Sequence, residues 1–511
     1  MVDDQTDVIA FLEQLEPGAQ KIIQTHAAIV ALYPSEALKL KRAVKYDYLD
    51  FSTLDLRREM LQREIALNSR AAPGLYRDVV PITKDAQGRL SMNGTGEVVE
   101  WVLRMVRFSE EAELSVMADH GRVDTVIADA LGQSIATYHR EAPAISEDGA
   151  VLIEEIIDEL DRVLSGLADI LEQSRTQALL KELRHALVRS ASLMRERGRA
   201  GWVRRCHGDL HLRNIIMWNG VPTPFDALEF DERLGTCDVL YDLAFLLMDL
   251  EHRGLRDEAN ATLNAYLSSW ARDDHLTGLA ALPLFLAVRA TIRAMVDAQT
   301  AGFQEDSTAL IADAVGFMDQ ANAYLQPQQP VLVAVGGLSG SGKTSLAVRV
   351  AAEIGRRPGA VHIRSDLERK ALFRVDPLTH LPPRAYAPET SAKVYGIMRD
   401  KARHVLSAGH SVILDSVHGT VAERDEVGRI AADLGCQFYG FWLDLDTETR
   451  VQRVERRIDD ASDADAAVAR KQAAIETGPI EWIKLDAAKD LDTLARETLS
   501  IIAVDAARLR T

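Results

Sequence analysis

Apolar residues recur at helical spacing near the start of the chain (Val8, Ile9, Phe11, Leu12, then Ile22 and Ile23), which predicts a helix across residues 7–30. Ala28–Leu32 and Ala37–Lys41 read as short strands around a Pro34–Ser35 turn. In the second strand Leu38 and Leu40 share one face, and Lys39 and Lys41 share the other. Leu54–Arg70 reads as a charged helix containing Glu59 and Glu64. Glu97–Phe108 reads as a strand with Trp101, Leu103 and Met105 on one face. Val123–Arg140 and Glu154–Glu172 are amphipathic helices, and Leu243–Leu250 and Leu284–Val296 are core helices. Strands and a helix followed by a mainly helical stretch predict a two-lobed α+β domain.

The pattern changes after Gln326-Pro327-Gln328-Gln329-Pro330, a short segment that marks a boundary. Beyond it, strands alternate with helices. Val331–Gly336 is an apolar strand, and Ala360–Arg364, Ser411–Leu414 and Phe438–Leu443 are others, ending at Asp366, Asp415 and Asp444. Such alternation predicts an α/β domain with a parallel doubly wound sheet, with ligands at the C-terminal ends of its strands. The expected domains are therefore 1–325, a linker at 326–330, and 331–511.

The first strand of this second part runs into Gly337, Leu338, Ser339, Gly340, Ser341, Gly342, Lys343, Thr344 and Ser345. The run fits G-x-x-x-x-G-K-[ST] between a strand and a helix, the setting in which that motif cradles phosphates. Glycines let backbone N–H groups turn inward, and the helix start behind them favours an anion. Lys343 is expected at the β- and γ-phosphates of ATP, and the Thr344 hydroxyl on Mg²⁺. Asp415, after an apolar strand, is expected in the shell of the same ion. Asp366 is expected to act as base or orienter for an acceptor hydroxyl. Arg453 and Arg457, four apart on a charged helix, share a face that suits transferred phosphate.

The chain is acidic, with 77 Asp and Glu against 59 Lys and Arg and a formal charge of −18. That field repels nucleic acid and anionic membranes and leaves small molecules as the expected acceptors. Three widely spaced cysteines, without C-x-x-C, suggest a reducing compartment and no zinc site. The acidic N-terminus shows no signal-peptide pattern, and the apolar run Leu276–Val288 is short for a membrane span. A soluble cytoplasmic protein is expected; nothing in the pattern sets its oligomeric state.

A second chemical centre lies at Trp202–Asp231. His207-Gly208-Asp209-Leu210-His211-Leu212-Arg213-Asn214 fits the kinase loop pattern H-x-D-x-x-x-x-N. An apolar strand, an Asn219–Gly220 turn and Phe225-Asp226 follow, so a hairpin brings two oxygen-bearing sites together. Asp209 is expected to accept or orient the proton of a substrate hydroxyl, and Asn214 and Asp226 to hold Mg²⁺.

This part, over roughly residues 20–325, resembles the aminoglycoside-phosphotransferase-like branch of the protein-kinase-like superfamily. HGDLHLRN is close to the branch's signature, and Asp238-Val239-Leu240-Tyr241-Asp242-Leu243-Ala244 is similar to its acidic helix start. The resemblance implies Lys41 as the third-strand lysine, with Lys39 as rival, Glu64 as its helix partner, and Met105–Phe108 as the hinge near adenine. The sequence departs from the pattern after Asp226, where Ala-Leu-Glu-Phe-Asp stands, so Glu229 or Asp231 could share the metal role. Residues 331–505 resemble the small P-loop kinases, gluconate-kinase-like and zeta-toxin-like proteins among them. That implies an acceptor-positioning role for Asp366 and an ATP-covering role for Arg453 and Arg457. The expected function is a bifunctional ATP-dependent phosphotransferase, each domain binding Mg·ATP and passing the γ-phosphate to a hydroxyl of a small molecule. Two alternatives stay open: one domain senses nucleotide and regulates the other, or the P-loop domain acts on a nucleic-acid end or a nucleotide sugar.

Overall fold

In the computed structural model of the protein, the described residues are 4–508 apart from 47, 48, 271, 304–306, 457–460, 473 and 475. The chain divides into two compact units, residues 1–152 with 196–249 and residues 153–195 with 250–511. The second unit thus combines residues 153–195 and 250–325 with everything after them.

The first unit holds a six-stranded antiparallel sheet in the order Lys21–Gln24, Ala28–Leu32, Glu36–Lys41, Glu97–Val106, Tyr76–Lys84 and Leu90–Met92. The helix expected over 7–30 stops early. It spans Thr6–Gln14, and Ile22 and Ile23 lie in a strand instead. Pro17 and Gly18, the latter at φ 89°, interrupt the chain between them. The alternation in Leu38-Lys39-Leu40-Lys41 behaves as expected: Leu38 and Leu40 are buried in the cluster with Val8, Leu12 and Ile29. The lysines face the Leu54–Asn68 helix.

That helix begins at Thr53, whose hydroxyl accepts from the Leu56 N–H. Its buried stripe is Arg57, Leu61, Glu64 and Asn68, so three of four inward positions are polar. Each is matched. Arg57 donates to Glu100 and to the Phe51 carbonyl, Glu64 takes both lysines, and Asn68 accepts from the Ala227 N–H at 2.9 Å. Buried polar groups persist where each has a partner.

The second unit carries a five-stranded parallel sheet in the order Val361–Arg364, Val412–Asp415, Val331–Gly336, Gln437–Asp444 and Ile483–Asp486. Val331–Gly336 is buried throughout and sits at the centre, as a near-continuous apolar run should. Val333, Val335, Leu346, Val350, Phe441 and Leu443 fill the core beside it. Among the described residues one helical stretch, Asp273–Ala301, is long and apolar enough to cross a membrane, and 72% of its apolar window is buried in the protein. It packs along Thr308–Leu325 as a core element. On it, Arg293 pairs with Asp297 one turn on at 2.9 Å.

Candidate active sites

In the first unit, the two lysines of the Glu36–Lys41 strand divide one carboxylate. Lys39 Nζ lies 2.8 Å from Glu64 Oε1 and 2.5 Å from Asp226 Oδ1. Lys41 Nζ lies 2.6 Å from Glu64 Oε2 and 2.5 Å from Glu229 Oε1. Lys41 and Glu229 are buried, whereas the Asp226 side chain is 40% exposed. Burial works against charge on Lys39, but Asp226 and Glu64 more than offset it and hold its pKa above the ordinary lysine value. Burial likewise pushes Asp226 up, and Lys39 and Lys41 outweigh it, leaving that carboxyl below its usual range. Asp226 sits in the left-handed region, at φ 61°, and its N–H donates to the Tyr76 hydroxyl at 3.0 Å. An aspartate can hold that backbone state where a branched residue strains.

The loop at His207 is pinned from below. Asp242 accepts from the N–H groups of His207 and Gly208 at 3.0 and 2.9 Å, and His139 Nε2 lies 3.1 Å from the same carboxylate. Gly208 sits at φ +84°, a backbone state that residues with side chains rarely adopt. Neighbouring Asp238 receives a two-pronged contact from Arg197 at 2.6 and 2.7 Å. The Asp238–Asp242 helix start therefore acts as a buried clamp on the loop.

Asp209 is left facing outward, with Asn214 Nδ2 2.8 Å from its Oδ2 and His211 Nε2 at 3.3 Å. The antiparallel hairpin Ile215–Trp218 and Val221–Pro224 closes with the Phe225 N–H on the Asn214 carbonyl at 3.0 Å, so Asn214 and Asp226 flank one hairpin mouth. His207 is buried, with Nε2 2.9 Å from the Phe225 carbonyl, and burial lowers its pKa. It serves the loop's structure. Asp231 accepts from the N–H groups of Arg233 and Leu234 in a turn, while Glu229 is tied to Lys41.

The Lys41–Glu229 pair has a measurable consequence. Glu229→Leu leaves Lys41 with Glu64 alone and should destabilise the protein by about 3 kcal/mol, read from the denaturant midpoint. The double variant Lys41→Met/Glu229→Leu should recover part of that loss, because the buried Lys41 ammonium that lost a hydrogen-bond partner is gone as well. Equal losses in single and double variants count against the pairing.

In the second unit, Gly342 takes φ 93° and the Lys343–Ala351 helix starts behind it. Gly340 is equally constrained, because a Cβ there would stand 2.4 Å from the Arg450 carbonyl. The Thr344 hydroxyl donates to Asp415 Oδ2 at 2.6 Å. Lys343 Nζ lies 3.3 Å from the Leu338 carbonyl, curled over the loop. The Ser339 N–H donates to Gln472 Oε1 at 2.7 Å, so an oxygen already sits where the loop would present this donor to a phosphate. The cradle thus accepts an oxygen ligand, and the hydroxyl–carboxylate pair suits a hard cation.

A cavity of about 1380 Å³ opens from this loop and is lined by Lys343, Thr344, Asp366, Asp415 and Arg453 among others. Arg453 donates to the carbonyls of Ala487 and, at 3.5 Å, Ser341. Arg457 lies outside the described residues. Burial pushes Asp366 up, the nearby Asp415 charge adds to this, and Arg364 and Lys343 only partly oppose them. Asp415 is pushed up by burial, yet the His362 ring, Lys343 and Arg364 hold it well below the carboxylate range.

Sequence reasoning missed several lining residues. Arg369, one turn beyond Asp366, is buried, with its guanidinium 4.9 Å from the Tyr386 ring centre. Its spacing from Asp366 on the Ser365–Phe373 helix was the available signal. Asp463 accepts from Lys370, Tyr386 and the Leu381 N–H at 2.5, 2.5 and 2.9 Å, and nothing local in the sequence announces that convergence.

Residues 56–276 match the phosphotransferase enzyme family, and residues 332–477 match an AAA domain family. The chain joins a kinase-like phosphotransferase region to a P-loop region. An uncharacterized protein of Mycobacterium tuberculosis (strain ATCC 25618 / H37Rv) is 29% identical over 479 residues, covering 89% of this chain and 90% of its own. Among solved structures, the choline/ethanolamine kinase family protein from Mesorhizobium loti is 15% identical, with a TM-score of 0.36 over 63% of this chain and 95% of that one. The Mycobacterium tuberculosis APS kinase CysC, solved with AMPPNP and APS, is 20% identical, with a TM-score of 0.28 over 35% of this chain and 99% of that one.

Proposed function

We propose that the protein is a bifunctional ATP-dependent kinase whose two regions each bind Mg·ATP and pass the γ-phosphate to a hydroxyl of a small molecule. The observation that carries this reading is the pairing of Thr344 with Asp415 at 2.6 Å, in a cavity that Asp366 also lines. A P-loop hydroxyl and a strand-end carboxylate are what a nucleotide-bound Mg²⁺ needs, and a third carboxylate is then left for the acceptor. In the phosphotransferase region, Asp226 and Asn214 would hold Mg²⁺, and Asp209 would take the proton of the acceptor hydroxyl. Lys39 suits the nucleotide-facing role better than Lys41, because it touches Asp226 while Lys41 is sealed against Glu229. The bound ion supplies charge neutralisation at the phosphates; the chain's residues orient, exclude water and move the proton.

The acidic surface argues for small acceptors over nucleic acid, and the free cysteines suit a cytoplasmic location. The test is a labelled-ATP screen against metabolite pools, run on the full chain and on Asp209→Asn and Asp366→Asn. A labelled small-molecule product lost in one variant assigns that product to its site. No product from any pool counts against both transfers.

One observation favours a second reading for the phosphotransferase region. Both its lysines are already neutralised by three carboxylates, as a nucleotide-sensing site without an acceptor could tolerate.

The Asp366 environment sets a pH dependence. A base whose pKa is raised stays protonated to higher pH, so its reaction is lost early on acidification. Transfer at the P-loop site should therefore fall on an acid limb lying above the ordinary carboxylate range. Asp366→Asn should abolish that limb along with most of the rate, whereas an unchanged limb in that variant removes Asp366 from the transfer step.

A further inference from the structure

The Val361–Arg364 strand lies at the edge of the parallel sheet, so one row of its backbone groups has no neighbouring strand. The Arg256–Ser268 helix, which belongs to the region matching the phosphotransferase family, covers that row. Asn264 Oδ1 accepts from the His362 N–H at 2.7 Å, and Asn264 Nδ2 donates to the Ala360 carbonyl at 3.2 Å. Asn260 Nδ2 donates to the same carbonyl at 3.1 Å. Two asparagine amides thus do what an adjacent strand would do, and they fix the strand at His362.

The register then decides where the His362 side chain goes. Arg364 stands opposite Asp415 in the parallel pair, and His362, two residues earlier, shares that face. Its side chain is 6% exposed, and Nε2 lies 3.3 Å from Asp415 Oδ2, the oxygen that also takes the Thr344 hydroxyl. Arg364 Nε is farther from that oxygen, at 4.0 Å. The ring therefore restrains the carboxylate at the same oxygen that takes the Thr344 hydroxyl.

We propose that His362, anchored by Asn264, is a positioning residue that orients Asp415 for Mg²⁺ at the P-loop site. The proposal rests on the reading of Asp415 as part of the Mg²⁺ shell. A carboxylate free to turn must be ordered whenever the ion binds, and a fixed hydrogen-bond partner removes that cost. It follows that a residue of the phosphotransferase region, Asn264, helps set the metal affinity of the P-loop region.

The test uses the full chain carrying Asp226→Ala, so that the other proposed Mg²⁺ site is silent. A fluorescent ATP analogue is titrated at increasing Mg²⁺, and thermal melting monitors the fold. His362→Phe keeps a buried flat ring and removes the nitrogen; it should raise the Mg²⁺ concentration for half-maximal binding about tenfold. Affinity at saturating Mg²⁺ should change little. His362→Gln restores a donor and should recover most of the shift. Asn264→Leu should move it in the same direction by a smaller factor, and because it does not touch Asp415 it carries the test if His362→Phe does not fold. Asp415→Asn is the control. If it shifts the Mg²⁺ dependence while His362→Phe and Asn264→Leu do not, the positioning role is overturned and the reading of Asp415 stands. If Asp415→Asn leaves the Mg²⁺ dependence unchanged, the reading of Asp415 itself fails. Equal shifts for His362→Phe and His362→Gln mean the site needs the ring's packing and not its hydrogen bond, which also overturns the proposal.

Discussion

Lys343→Ala should weaken ATP binding at the P-loop site on the order of a hundredfold, a loss of about 2.8 kcal/mol, with the fold intact. The magnitude follows from what is removed. The backbone cradle keeps its shape through Gly340 and Gly342, which the substitution does not touch. The Lys343 ammonium is a positive side chain at the loop itself, where it curls to the Leu338 carbonyl. Charge-assisted hydrogen bonds to phosphate are worth about 1.5–3 kcal/mol each, and the lysine is expected to make more than one. The measurement is equilibrium binding of a fluorescent ATP analogue to the full chain in an Asp226→Ala background. Unchanged affinity there sinks the assignment of Gly337–Ser345 as the nucleotide cradle. Because Lys343 also favours the ionised form of Asp366, its loss should raise the Asp366 pKa further and move the acid limb upward, so binding and pH profile report on the same charge.

How much of this was legible follows from how local each signal is. The P-loop reads directly because its glycines, lysine and threonine are adjacent, and the structure gives the motif its strand–turn–helix setting. The HGD loop reads for the same reason at Asp209 and Asn214. The clamp beneath it, Asp242 on the N–H groups of His207 and Gly208, spans more than thirty residues and becomes visible only in the fold. The pair Lys39 and Lys41 was ambiguous because alternation places both on one face. The structure separates them through Glu229, which takes Lys41 in a contact 188 residues away in sequence and leaves Lys39 to Asp226. The 7–30 helix was misread because Ile22 and Ile23 fit the helical period by chance, whereas the Pro17–Gly18 break is the better local signal. The Ile483–Asp486 strand escaped because its Ile-Lys-Leu-Asp alternation covers four residues, of which Leu485 alone is buried, too short a run to stand out at a sheet edge. The boundary at Gln326–Pro330 is a change of pattern in the sequence, but the compact units do not divide there. The Asn264 contacts to Ala360 and His362 show why: they tie residues before that segment to the sheet after it.

Asp209 and Asp226 should fail in different ways, and that difference tests the phosphotransferase site most sharply. Asp209 is on the pinned loop, held by Asn214 at 2.8 Å. Its proposed role is at the acceptor hydroxyl. Asp209→Asn should therefore cut phosphoryl transfer by on the order of a hundredfold or more with ATP affinity little changed, the pattern of a group acting only in the transition state. Asp226 is bound to Lys39 at 2.5 Å and held below its usual pKa by both lysines, which keeps a negative charge at the proposed cation position. Asp226→Ala removes that charge and leaves Lys39 to Glu64. It should weaken Mg·ATP binding as well as transfer. Both are measured in the full chain carrying Lys343→Ala, so that the P-loop cannot mask the loss. Identical phenotypes for the two variants overturn the division of roles. Nucleotide binding without transfer to any acceptor makes the region a sensor. If no nucleotide binds there even with Asp226 intact, the Lys39–Asp226 and Lys41–Glu229 pairs close a site that no longer takes Mg·ATP.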